Sequence, residues 1–279
     1  MLFHARKAPL QILFPAALCA LWVFSGCSKK LTKEEGCQEK WDKISPKLAK
    51  GKYNNQTKDA LNDIVTTCPG SPFTEEALFD LGESHIHLEE WEEAETEFTS
   101  FVKEFPTSKK YGELARYRIA QASAKQVEGP TRDQTKTQEA IIAWSNYIDE
   151  YPDSPRADSA RGEIDSLKSI LATKQMLIAH LYSRMDEPQA AAIYYKEVLK
   201  EYGGRVNERE VNLKLAECYI RMGQFDEAES YLSKFDGIAK DDPFREKVKL
   251  AYKDLDKART KLAREKKEEQ EQGKRQEAM

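Results

Sequence analysis

From about residue 38 to residue 250, apolar residues recur at the three- and four-residue intervals of helices that bury one stripe. Proline punctuates the pattern. It lacks an amide donor and blocks helix continuation, so Pro106 ends one helix and Pro69 ends an earlier one at the same phase. Between residues 157 and 184 the period runs on with no proline, which predicts one long helix; Gly162 within it costs about 1 kcal/mol relative to alanine. From about residue 253 the chain is charged with few apolar positions, and reads as a frayed helix or a disordered tail.

The small residues carry a second, longer period. Leu81 and Gly82 are followed by Ala94, Phe98, Phe101 and Pro106. Ala179 and Ala191 repeat the twelve-residue interval ahead of Tyr195 and Val198. Ala216 and Ala228 repeat it again, with Tyr219, Leu232 and Phe235 as large partners. Trp41, Ile44, Leu61 and Ile64 fit a degenerate first copy. Small side chains at this spacing let two antiparallel helices cross closely while large ones fill the space beside them. This is the tetratricopeptide pattern. It predicts an all-α superhelix of five helical hairpins, with repeats starting near Gln38, Glu75, Glu113, Ala172 and Arg209.

One copy is stretched. Ala115, Ile119 and Ala120 begin it in phase, but its second small residue, Ala140, comes twenty residues after Ala120 instead of twelve. The excess lies in "QVEGPTRDQTKTQEA", residues 126–140, which predicts an enlarged turn containing Gly129 and Pro130. Thr135 with Gln138 reads as a capping box that restarts the helix.

Composition narrows the function. The chain has 279 residues, is 33% charged and carries a net charge of −4. Arg6 and Lys7 precede an apolar run that Pro9 and Pro15 make a poor membrane span, so residues 1–26 read as a signal peptide. Removing them leaves 42 basic against 48 acidic residues, −6, which gives no electrostatic footprint for nucleic acid. The run "FSGC" resembles a bacterial lipobox and marks Cys27 for lipidation, although Phe24 stands where leucine is usual. Two or three acyl chains at about 0.8 kcal/mol per buried CH₂ anchor a protein firmly. By resemblance to enterobacterial lipoproteins, Ser28 rather than aspartate favours export to the outer membrane. The expected layout is a signal peptide (1–26), a lipidated linker (27–37), the repeat domain (38–250) and a charged tail (251–279). In an oxidising compartment Cys37 and Cys68, at adjacent ends of the first hairpin, are placed to form a disulfide, and the sequence leaves open whether they bond. Cys218 reads as a small buried hydrophobe.

The stretch "RDQTKTQEAIIAWSNYIDEYPDSPRADSA" resembles the matching segment of the BamD family, the lipoproteins of the outer-membrane β-barrel assembly machine. The resemblance is carried by Arg132, Asp133, Gln134 and Thr135, then Tyr151, Pro152 and Ser154 before the long helix; "GKYNNQTKDA" departs from it, with Gln56 where alanine is usual. It implies a scaffold on the periplasmic side of the outer membrane, without cofactor. Its implied partners are the periplasmic domains of the barrel-forming subunit, and unfolded outer membrane proteins as further ligands. The alternative is another periplasmic tetratricopeptide adaptor, serving envelope constriction or peptidoglycan machinery.

By analogy with tetratricopeptide stacks, the fifth position of each first helix lines a peptide groove, here Phe79, Tyr117, Met176 and Leu213. The competing reading is that each packs on its neighbouring helix. Arg132 and Asp133 are expected to pair across the enlarged turn and shape it. Catalysis finds no support: there is no phosphate loop or nucleophile motif, and His85 and His87, two apart, point to different sides of a helix and make poor joint metal ligands.

Overall fold

The computed structural model describes residues 32–277; the signal peptide and Cys27 lie outside the described residues. Eleven helices follow one another: α1 (Lys33–Leu48), α2 (Asn55–Thr67), α3 (Thr74–His87), α4 (Trp91–Glu104), α5 (Gly112–Lys125), α6 (Thr135–Glu150), α7 (Ala157–Arg184), α8 (Pro188–Tyr202), α9 (Glu208–Arg221), α10 (Phe225–Leu232) and α11 (Arg245–Glu277). Among the described residues there is no strand. Packing runs mainly between sequence neighbours, so α1 to α10 form five stacked hairpins, and α11 closes the stack on α9 and α10.

The small-residue pairs sit at the crossings. Ala94, Ala179, Ala191, Ala216 and Ala228 are fully buried, as are Ala120 and Ala140 in the stretched copy. At Gly82 a Cβ would lie 2.7 Å from the ring of Phe98, so only glycine lets α3 and α4 approach this closely. Four of the five hairpins turn through a left-handed residue at the same place, Gly51, Glu89, Asp186 and Gly223. Glutamate and aspartate at two of these positions carry a steric cost that glycine would not.

Junctions between hairpins reuse a Pro-x-Ser segment. In two of them the serine grips the first helix of the preceding repeat: Ser108 donates to Glu75 (2.5 Å) and Ser154 to Glu113 (2.6 Å). The same serines accept the amides of Tyr111 and Arg156 and so start the next helix. At the first junction Ser71 meets Thr74 instead, and a disulfide between Cys37 and Cys68 ties α1 to the end of α2.

Several boundaries differ from the sequence reading. Helix α1 begins at Lys33, inside the expected linker, because Thr32 and Glu35 form a full capping box. Helix α11 runs to Glu277, and Val248, Ala251 and Leu255 are buried against the last hairpin, so the packed body passes residue 250. The expected capping box at Thr135 does not form. The N-cap is Gln134, and the Thr135 amide donates to the Asp133 carboxylate (2.9 Å).

Candidate functional site

The enlarged turn between α5 and α6 is organised by Gln134. Its buried side chain donates to the carbonyls of Gly129 (3.0 Å) and Arg132 (3.1 Å) and accepts from the Thr137 hydroxyl (2.8 Å). Lys174 of α7 donates to the Arg132 carbonyl (2.6 Å) and docks the turn onto the long helix. Arg132 and Asp133 do not pair: the Arg132 side chain is exposed, and Asp133 accepts from Thr135, whose side chain first and amide second hold its carboxyl below the ordinary range. A carboxamide can donate twice and accept once at a single point, which neither charged neighbour can do.

The four expected groove residues divide. Phe79 (5% exposed) stacks on Tyr111 at 4.4 Å and meets Phe98 and Phe101 edge-on, and Leu213 (2% exposed) lies in the C-terminal core. Both are core residues, not groove anchors, because this side of the first helix packs on the neighbouring helices. Tyr117 is half-buried, edge-on to Trp144 and Tyr147 with the Arg156 guanidinium over its ring. Met176 is half-buried against the C-terminal core.

A different row, half-buried at Glu76 and Asp80 and buried at Glu83, runs along α3. Glu76, Asp80 and Glu83 recur at four and three residues, on one face of the helix. Glu83 is bridged by both nitrogens of Arg118 on α5 (2.6 and 3.0 Å), and Arg118 also reaches Gln121 (2.7 Å). Glu76 pairs with Lys110 at 3.3 Å. Among the described residues Asp80 accepts only the Tyr53 hydroxyl (3.1 Å); burial, with Glu76 and Glu83 nearby, raises its pKa to about 6. The Tyr53 hydroxyl is raised in turn by burial and by that carboxylate. The 3.6-residue spacing of these carboxylates was visible in the sequence, but their partners come from other repeats.

The opposite chemistry appears on α7. Leu177, Leu181 and Met185, four residues apart, are 42%, 46% and 60% exposed and form one apolar stripe. Among the described residues no helix is long and apolar enough to cross a membrane, and no three metal-ligating side chains converge. The α3 carboxylates offer ion pairing and the α7 stripe offers apolar contact.

The sequence profile of the YfiO family, described as outer membrane lipoproteins, matches residues 34–234. The outer membrane protein assembly factor BamD of Caulobacter vibrioides is 25% identical over 233 residues, covering 81% of this chain and 74% of that protein. BamD of Rickettsia prowazekii is 26% identical over 186 residues, covering 67% and 73%. BamD of Haemophilus influenzae is 23% identical over 217 residues, covering 74% and 82%. A solved tetratricopeptide protein of Thermus thermophilus is 18% identical and covers 77% of this chain and 98% of its own, with a TM-score of 0.33. At that TM-score the likeness carries no argument, and the repeat assignment rests on the helix pairing itself.

Proposed function

The chain belongs to the YfiO family of outer membrane lipoproteins, and from that premise we propose that it is a lipid-anchored periplasmic scaffold for the assembly of outer membrane proteins. The observation that carries the reading is the match across residues 34–234, which span all five hairpins. Relatives along most of this chain are named as outer membrane protein assembly factors, which favours this role over the peptidoglycan adaptor. A rod of stacked hairpins suits it, since such solenoids present long surfaces to several partners at once.

The anchor is Cys27, five residues before Thr32. At no more than about 3.6 Å per residue, the start of α1 lies within about 18 Å of the lipid attachment point. The first hairpin is then the membrane-proximal end, and α7 to α11 reach away from it. The apolar stripe of Leu177, Leu181 and Met185 is the surface we assign to the periplasmic domains of the barrel-forming subunit. Unfolded outer membrane proteins are the further ligands.

Depleting the protein and quantifying the outer membrane proteome tests the role: barrel proteins fall together, and unchanged levels overturn it. Affinity purification from membranes separates the alternatives, because recovery of peptidoglycan synthesis proteins without any barrel-assembly subunit would establish the adaptor. Cys27→Ser is expected to abolish palmitate incorporation and release the protein from the membrane fraction.

A further inference from the structure

A cavity of about 340 Å³ opens between α1 and α3, lined by Trp41, Ser45 and Leu48 of α1, Tyr53 of the following turn, and Glu76 and Asp80 of α3. That is within the roughly 300–1,000 Å³ range of ligand clefts. Both aromatic walls are held by other rings. Trp41 stacks on Phe73 at 5.4 Å and Tyr53 on His87 at 4.6 Å.

The charges along α3 are unequally matched. Glu83 has Arg118 and Glu76 has Lys110, each supplied from the next repeat. Asp80 stands between them; among the described residues no cation lies within ion-pair distance of it, and Lys110, engaged with Glu76, acts on it only at longer range. Its only side-chain donor is a neutral phenol, although the site keeps it partly buried. A partly buried carboxylate without a cation is costly to the fold, and a cation arriving from outside would offset that cost. Aromatic faces beside carboxylates suit a cation on a hydrocarbon stem: the stem lies along the rings and the charge reaches the oxygens.

We propose that this cavity receives a lysine or arginine side chain from a partner polypeptide, with Asp80 as its principal ion-pair acceptor, Glu76 as the second carboxylate, and Trp41 and Tyr53 as walls. The proposal deepens the scaffold reading, on which it rests, for it gives the chemistry of one partner contact between α1 and α3. An apolar side chain would leave Asp80 unpaired, and an anionic one would meet two carboxylates.

The test uses the full-length protein in detergent micelles with indole ¹⁵N-labelled tryptophan, the Trp41 signal being assigned by Trp41→Phe. The probes are the capped tripeptides acetyl-Gly-Lys-Gly-amide and acetyl-Gly-Arg-Gly-amide, with the norleucine tripeptide as the uncharged control. The cationic peptides are expected to shift the Trp41 signal saturably, and the norleucine peptide to leave it in place. Asp80→Asn should weaken binding at least tenfold while raising the melting temperature. Glu113→Gln, on another repeat junction, should bind as the unaltered protein does. Equal binding of norleucine, unchanged binding by Asp80→Asn, or a lowered melting temperature of that variant would overturn the proposal; the last would show that Asp80 holds the fold together. The readout needs no assembly machinery, so its failure is distinguishable from an unchanged proteome on depletion.

Discussion

Two glycines show how little a residue's identity says without its surroundings. At Gly162, on α7, an added Cβ meets nothing within 4 Å, whereas at Gly82 it meets the fully buried Phe98 ring at 2.7 Å. Alanine improves helix propensity by about 1 kcal/mol at either position. Gly162→Ala should therefore stabilise the protein by about 1 kcal/mol. Gly82→Ala should destabilise it by a net 1–3 kcal/mol, roughly the cost of overpacking a dense core. Chemical denaturation measures both, and adding Phe98→Leu to Gly82→Ala should recover part of the loss. Asp80 poses the same contrast in charge. Its folded pKa of about 6 lies above the ordinary 3.8, so the fold binds the proton more tightly than the unfolded chain does. Its contribution is harmless below pH 3.8, and stability is lost as pH rises through about 6. Asp80→Asn should add about 1–2 kcal/mol at pH 7, discounted for partial exposure, and nothing below about pH 4. A pH series of thermal melts of the two proteins checks the convergence.

At the scale of elements, small residues close the hairpins, and at two junctions a serine joins one hairpin to the next. Ser154 is shared by Glu113, Tyr147 and the Arg156 amide. Hydrogen bonding to Ser154 first, then to Tyr147 and the Arg156 charge, holds the Glu113 carboxyl below its ordinary range. Ser154→Ala should cost about 1–2 kcal/mol at neutral pH, since the acceptor is charged. A carboxylate with a lowered folded pKa stabilises above its unfolded pKa and loses that effect as pH falls through the folded one. The gap between the two proteins should narrow as pH falls below the ordinary glutamate value of 4.5 and close once it has passed the lowered folded one, in the same denaturation assay. Ser108→Ala acts at a separate junction and should add independently. The hairpins themselves were legible, because an alanine or glycine at a crossing leaves a period that survives even the stretched copy from Ala120 to Ala140. The long helix from 157 to 184 was legible for want of any proline. The cap at Thr32 was equally visible, as Thr-x-x-Glu, but fell in a stretch set aside as linker. Phe79 and Leu213 were misplaced for a deeper reason: periodicity gives an apolar stripe, and not whether that stripe meets the next repeat or a groove. The cavity at Asp80 was out of reach altogether, because its walls come from α1 and the turn after it.

Over the whole molecule, stability passes from hairpin to hairpin, and a stack coupled through neighbours unravels from its ends. The two ends are secured by different means. At one, α11 lays Val248, Ala251 and Leu255 on the last hairpin, and Arg259 reaches Glu229 at 2.6 Å. At the other, the first hairpin carries a degenerate repeat, has no serine–carboxylate clasp, and is joined by Cys37–Cys68 across 31 residues of sequence. A loop of that length gives about 3–4 kcal/mol on the chain-entropy model. The disulfide also sets the path of force. Under the proposed lipid anchoring, a pull on Cys27 would reach residue 37 and cross directly to residue 68, leaving α1 beyond Cys37 and all of α2 outside the covalent line between the lipid and α3. Reduction would put that hairpin, the least secured of the five, in series with the anchor. Amide hydrogen exchange should therefore be protected in the helices of all five hairpins of the oxidised protein. After reduction, protection should fall by two to three orders of magnitude in residues 38–67, the exchange equivalent of about 3–4 kcal/mol. Residues 157–232 should be unchanged. Uniform loss along the chain would mean that the stack melts as one unit, and no loss in the first hairpin would mean that packing alone secures it.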